Sequence, residues 1–162
     1  MSDRKLLSIV TPCFNEEENI DELYRRIKAA IAGESAYDFE IIFIDNASRD
    51  GTVAKIKTLA SIDPAVKLIV NTRNFGHIRS PYYGITQSSG AATIYLASDL
   101  QDPPEIIPQF IREWESGYKL VMAIKPVSKG NALVHSLRKS YYRFLDGISD
   151  ITLLSDSTGF GL

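Results

Sequence analysis

The feature that most constrains this chain is alternation. Short apolar runs are each followed by a polar cluster and then by a longer stretch with helical spacing. Leu6–Thr11, Glu40–Asp45, Val66–Asn71, Ala92–Ala97 and Lys119–Ile124 are short and apolar, so they are predicted strands. Between them, Glu16–Ile31 repeats apolar side chains at helical intervals (Ile20, Leu23, Tyr24, Ile27, Ile31). A second helix is predicted from about Gly51 to Ile62, carrying Val53, Ile56, Leu59 and Ala60 on one face. A third covers Ile78–Ser89, with Pro81 in its first turn and Gly90 ending it. A fourth covers Glu105–Glu115 and ends at Gly117; a fifth covers Lys129–Leu145. Pro12 is predicted to stop the first strand, Asn15 to cap the first helix and Asp50 the second.

Strands that alternate with helices imply a mostly parallel central sheet with helices on both faces, a three-layer α/β/α arrangement. The length, 162 residues, predicts a single domain over 1–162. In such sheets ligands bind beyond the carboxyl ends of the strands. The polar clusters Asn15-Glu16, Asp45-Asn46, Arg73-Asn74 and Asp99–Asp102 each follow a strand, so all four are predicted to line one edge.

Composition removes several function classes. With 44% apolar and 23% charged residues the chain has enough apolar surface for a core, which excludes disorder. A net charge of -2 provides no general field for nucleic acid. The single cysteine, Cys13, cannot build a disulfide framework; it ends an apolar run and is expected to be buried, in a reducing compartment. No signal-peptide core is present, and no run approaches the roughly 18 apolar residues of a membrane span. The phosphate loops GxGxxG and GxxxxGK[ST] and the nucleophile elbow GxSxG are absent, and the two histidines lack zinc-site spacing.

The polar clusters indicate chemistry. Carboxylate and amide oxygens in Asp99-Leu100-Gln101-Asp102 are hard ligands that suit Mg²⁺ or Mn²⁺. Asp102, ahead of Pro103-Pro104, is expected to cap the next helix instead. Asp45 is expected to face a ligand, as an acceptor for a base N–H or a ribose hydroxyl. Phe14 offers a flat apolar wall beside Glu16, although by itself this stretch reads as an ordinary strand–turn–helix with an acidic N-terminus. His77 is read as a helix-start residue near the same edge.

Four ordered segments carry a resemblance: Ile9-Val10-Thr11-Pro12-Cys13-Phe14-Asn15-Glu16-Glu17, Ile44–Thr52, Arg73-Asn74-Phe75-Gly76 and Asp99-Leu100-Gln101-Asp102-Pro103-Pro104-Glu105. Together they resemble family 2 glycosyltransferases of the GT-A fold, and within that family the polyprenyl-phosphate glycosyltransferases. The resemblance implies an inverting transferase that moves a sugar from a nucleotide-diphosphate sugar, UDP favoured over GDP, to a polyprenyl-phosphate or glycan acceptor in cell-envelope synthesis. It implies that Pro12, Phe14, Glu16, Asp45 and, more weakly, Arg73 contact the nucleotide, and that Asp99 and Gln101 hold Mg²⁺ or Mn²⁺ on the diphosphate. Asp156, in Asp156–Leu162, resembles the acidic group near the acceptor, while Lys125 and Arg138 resemble its phosphate-binding positions. Departures are Ala97 where a further Asp is frequent, Asn46 for a second acid, His77 for a lysine and Gly161 for an arginine. The resemblance further implies a cytoplasmic domain at the inner face of a membrane, cut short at its C-terminal end, with membrane contact through the missing part and room for homo-oligomers. Two other readings remain open: a domain that binds the nucleotide sugar but lacks part of its catalytic set, and a nucleotidyltransferase.

Overall fold

The computed structural model describes residues 4–124 and 157–162. These fall in two compact units, Met1–Val121 with Phe160–Leu162, and Met122–Gly159.

In the first unit four strands lie parallel in the order β3 (Val66–Val70), β2 (Tyr37–Asp45), β1 (Lys5–Cys13), β4 (Ala92–Tyr95). Gly161, at the end of β6 (Ser157–Gly161), pairs antiparallel with Tyr95, and Val121 and Leu162 exchange backbone hydrogen bonds. The described parts of the second unit are β5 (Met122–Ile124) and the start of β6. The expected helix over 129–145 lies outside the described residues.

The connections explain the layers. The chain steps outward from β1 to β2 to β3 through α1 (Ile20–Ile31) and α2 (Thr52–Ile62), then returns across the sheet through α3 (Gly76–Thr86) to β4. Parallel crossovers are right-handed, so reversing the direction of travel puts α3 on the opposite face from α1 and α2. Accordingly α3 contacts β1 and β2, where Val10, Ile42 and Ile44 form a buried cluster, while α1 contacts α2 and α4 (Ile107–Glu115). A Cβ on Gly84 would stand 2.9 Å from both Ile44 Cγ2 and Val10 Cγ1, so only glycine lets α3 lie this close to the sheet. Elsewhere in the core, Leu7, Ile9, Ile20, Leu23, Ile27, Ile41, Phe43 and Ile56 are fully buried.

Local details differ from the sequence-based expectations. Strand β1 continues through Pro12 to Cys13. Its pairing with β4 ends at Val10–Tyr95, so the N–H that proline lacks falls on the side where no partner strand remains. Helix α1 begins at Ile20, not Glu16, and Asn15 does not cap it: its φ is +56°, and its side chain and N–H bond the β2–α2 turn instead. Helix α3 starts at Gly76, so Pro81 sits inside it and not in its first turn, and it ends at Thr86, before Gly90. The turn after β4 is a 3-10 segment, Pro104–Ile106, with Pro103 and not Asp102 at the cap position. Gly117 does end α4, at φ +103°. Among the described residues no helix is long and apolar enough to cross a membrane.

Candidate active site

The loops after β1 and β2 are sewn together. Asn15 N–H donates to Ser48 Oγ (2.9 Å), Arg49 N–H to Asn15 Oδ1 (2.9 Å) and Glu16 N–H to Thr52 Oγ1 (2.8 Å). Glu17 N–H donates to Asp50 Oδ2 (3.1 Å), and Gly51 N–H returns a bond to Glu17 Oε2 (2.8 Å). Asp50 also accepts from Thr52 N–H and Thr52 Oγ1, so it braces the start of α2, but from one residue too early to be its cap: Gly51, and not Asp50, stands at the cap position. The loop after β4 joins this frame through Ser98, whose hydroxyl donates to the Pro12 carbonyl (2.8 Å).

Between these loops lies a cleft of about 380 Å³. Its first side is Pro12, Cys13, Phe14 and Glu16; its second is Asn74, Gly76, His77, Ser80 and Pro81; its third is Tyr95, Ala97, Ser98 and Asp99, with Asn46 at the join. β1 and β4 are neighbours whose connections leave in opposite directions, so the cleft occupies the switch point where α/β sheets bind ligands.

The structure brings Pro12, Phe14, Glu16 and Asp99 together in this cleft. Asp45 is fully buried and not in the lining, one residue before Asn46, which is. Its Oδ2 accepts Ser48 N–H (3.0 Å), and its Oδ1 is a buried acceptor with no hydrogen-bond partner among the described residues. Arg73 is not in the lining; its guanidinium stacks over Phe75 at 4.9 Å. Gln101 is exposed and outside the lining, with its N–H donating to Asp99 Oδ1 (3.1 Å). Asp102 is buried. Asp156, Lys125 and Arg138 lie outside the described residues.

Two ionisable groups in the lining are shifted. Burial pushes the Cys13 thiol well above its usual range, against a lowering contribution from Ser98. Burial, then the charges of Asp99 and Asp102, push the Tyr95 phenol up. Both groups are therefore neutral near pH 7.

No group of three or more His, Cys, Asp or Glu able to hold a metal occurs among the described residues. The donor set that is present, one exposed carboxylate of Asp99 at the cleft, fits a cation such as Mg²⁺, which takes one or two protein carboxylates and completes its shell with phosphate oxygens and water.

Sequence reasoning did not anticipate Ser98, Tyr95, Ser80 or the asparagine network around Asn46. One signal was available: Asn46 and Asn71 directly follow β2 and β3, and Asn74 lies in the loop beyond β3, where a carboxamide can bridge two loops.

Comparison with known proteins places this geometry. The family model described as Glycosyl transferase family 2 matches residues 8–159. An uncharacterized glycosyltransferase, YkcC, of Bacillus subtilis (strain 168) is 35% identical over 163 residues, covering 100% of this chain and 50% of the relative. A bactoprenol glucosyl transferase of Shigella phage SfV is 40% identical over 117 residues, covering 72% of this chain and 38% of the relative. This chain thus spans half or less of the length of these relatives. Among solved structures, glucosyl-3-phosphoglycerate synthase from Mycobacterium tuberculosis in complex with UDP superposes with a TM-score of 0.59 at 20% identity, over 94% of this chain and 55% of that one. The mannosyltransferase PcManGT from Pyrobaculum calidifontis, in complex with GDP-Man and Mn2+, gives 0.56 at 19% identity, over 83% of this chain and 39% of that one. At these identities the superpositions speak for the fold, which is GT-A. The family match over nearly the whole chain and the loops gathered at the switch point lead to one conclusion: the chain belongs to glycosyl transferase family 2.

Proposed function

We propose that this domain binds a nucleotide-diphosphate sugar in the cleft between β1 and β4 and transfers the sugar, with inversion, to a polyprenyl-phosphate acceptor. The observation that carries the reading is the meeting of Pro12, Phe14 and Glu16 with Asp99 in one cleft, beside the buried acceptor of Asp45. The acceptor class rests on similarity to bactoprenol glucosyl transferases. UDP is favoured over GDP as the donor nucleotide.

In this reading Phe14 provides an apolar wall for the base, and Asp45 Oδ1 accepts from a base N–H or ribose hydroxyl. Asp99, with Gln101 as a second oxygen donor, would hold Mg²⁺ or Mn²⁺. When bound, that ion offsets the charge that builds on the leaving nucleoside diphosphate. A lipid phosphate oxygen is ionised near neutral pH, so Asp156 would orient the acceptor, and Lys125 and Arg138 would hold its phosphate. A glycan hydroxyl would instead require a general base.

Calorimetry with UDP, GDP, UDP-glucose and GDP-mannose, with and without Mn²⁺, tests the reading. Uridine nucleotides are expected to bind more tightly with Mn²⁺, and Asp99→Ala to lose the metal-dependent part. A correctly folded wild-type chain that binds none of the four would refute the donor site. Full metal dependence in Asp99→Ala would remove that residue from the metal.

A further inference from the structure

Helix α3 has two faces of different character. Ser80, Pro81 and Gly84 are its buried positions, and His77, Ser80 and Pro81 line the cleft. On the outer side Ile78 is 71% exposed and Tyr82 68%, and Tyr83 and Ile85 are exposed as well. Phe75, just ahead of the helix, is also exposed. Phe75, Ile78, Tyr82 and Ile85 recur at helical intervals, so they form one apolar stripe. The helices on the other face of the sheet turn charge outward instead: the exposed positions of α1 include Asp21 and Arg25, and those of α4 include Arg112, Glu113 and Glu115.

Charge around the stripe is one-sided. Between Asp63 and Asp99 the chain has no acid, although its net charge is -2. Lys67, in that stretch, is taken up by Glu40. Arg73 and Arg79 are exposed, and among the described residues neither is in an ion pair. Arg73 stacks over Phe75 at the start of the stripe, and Arg79 follows Ile78 within it.

We propose that the outer face of α3, built on Ile78, Tyr82 and Ile85 with Arg73 and Arg79, is a docking surface for an anionic lipid bilayer. Aliphatic side chains enter the acyl boundary, phenol rings sit at the headgroup level, and guanidinium groups meet lipid phosphates while their stems stay in apolar surroundings. Charge selects this occupant. A second copy docked on the same face would set arginines against arginines, with no acid on α3 to answer them, whereas an anionic surface answers both. The inference deepens the proposed function and takes from it only the lipid nature of the acceptor. Docked through this face, α3 would hold the cleft wall on its other side next to the layer in which a lipid phosphate stands.

The test is co-sedimentation of the 162-residue chain with vesicles of phosphatidylcholine alone or mixed with phosphatidylglycerol. Partition is expected to be at least about tenfold stronger on the mixed vesicles, with added salt reducing the difference. Arg79→Ser is expected to weaken it about fivefold, and Ile78→Glu with Tyr82→Glu at least about tenfold. Ile62→Glu is the control, because Ile62 is 72% exposed at the end of α2, on the other face of the sheet. No partition, equal partition onto both vesicle types, or full partition of the doubly substituted chain overturns the proposal. So does a loss in Ile62→Glu as large as in the double variant.

Should the double variant fail to fold, Tyr82→Trp gives a local readout above the constant signal of Trp114, which is half-buried on α4. Its emission is expected to move to the blue on mixed vesicles and to be quenched by brominated acyl chains; unchanged emission overturns the docking. Sedimentation equilibrium without lipid covers the other occupant: a dimer that Ile78→Glu dissolves would assign the face to a second copy and overturn the proposal. Calorimetry with UDP is a separate readout. If the wild type binds vesicles as expected but no nucleotide, the donor-site reading fails and the docking surface stands.

Discussion

Among the described residues, three non-glycine positions have a left-handed backbone: Asn15 (φ +56°), Ala47 (+65°) and Leu100 (+59°). Each lies in the loop beyond β1, β2 or β4, at the edge that holds the cleft. Such conformations cost on the order of 1 kcal/mol each and persist only when the surroundings over-determine them. Here the surroundings are visible: Asn15 is held by Ser48 and Arg49, and Ala47 lies between the buried Asp45 and Asn46 and the loop-bridging Ser48. Asp45 shares this edge, and its unpartnered Oδ1 gives the residue-scale prediction. Asp45→Asn preserves shape but replaces one acceptor with a donor. UDP affinity is expected to fall about tenfold or more, with a cooperative melt retained. Unchanged affinity in calorimetry would remove Asp45 from the ligand contacts.

At the scale of elements, a second polar cluster holds strands and loops together away from the cleft. Glu40 on β2 is buried and accepts from Lys67 on β3, from Ser8 Oγ on β1 and from Ser89 N–H ahead of β4. Burial alone would raise its pKa. The bonds from Lys67, Ser8 and Ser89 outweigh burial and lower it from 4.5 to about 2. A lowered carboxyl pKa contributes stability that is present above about 4.5 and lost as pH falls towards 2. The shift corresponds to roughly 3 kcal/mol. Glu40→Gln is expected to lower stability near pH 7 by roughly 1–3 kcal/mol and to flatten the acid limb of a urea-midpoint series. The exposed Arg26–Glu105 pair, which ties α1 to the turn after Pro103, contributes far less because solvent screens it.

The elements themselves were largely legible in the sequence. β-Branched apolar runs gave the strands of the first unit, and helical spacing gave α1 and α2, because burial of one stripe dictates both. The boundaries were less legible, because tertiary bonds decided them. Asn15 has the chemistry of a cap, yet the β2–α2 turn claimed both its side chain and its N–H. Pro12 looked like a strand breaker because its neighbour's length could not be known; β4 ends early enough to leave it harmless. At the site, the acids following strands were foreseen as an edge. That Gln101 would stand outside the cleft and Asn46 at its join depended on turn geometry, which side-chain type does not encode.

For the whole molecule, ligand and fold are thermodynamically linked. A nucleotide at 100 times its dissociation constant adds about 2.7 kcal/mol to stability. UDP with Mn²⁺ is therefore expected to raise the melting temperature more than UDP alone, and Asp99→Ala to erase the difference between the two scans. Equal shifts with and without Mn²⁺ in the wild type would mean that nucleotide binding does not depend on the metal.

The chain's single sulfhydryl lies in the wall of that cleft. Cys13 is 2% exposed, its Sγ donates to the Thr11 carbonyl, and burial holds it protonated. An alkylating reagent in solution thus meets neither an accessible sulfur nor a reactive thiolate while the site is intact. It can react only during the brief intervals when the end of β1 comes away from Ser98. The rate of covalent labelling then becomes a clock that counts these openings, and any molecule that holds the cleft shut slows the clock in proportion to its occupancy.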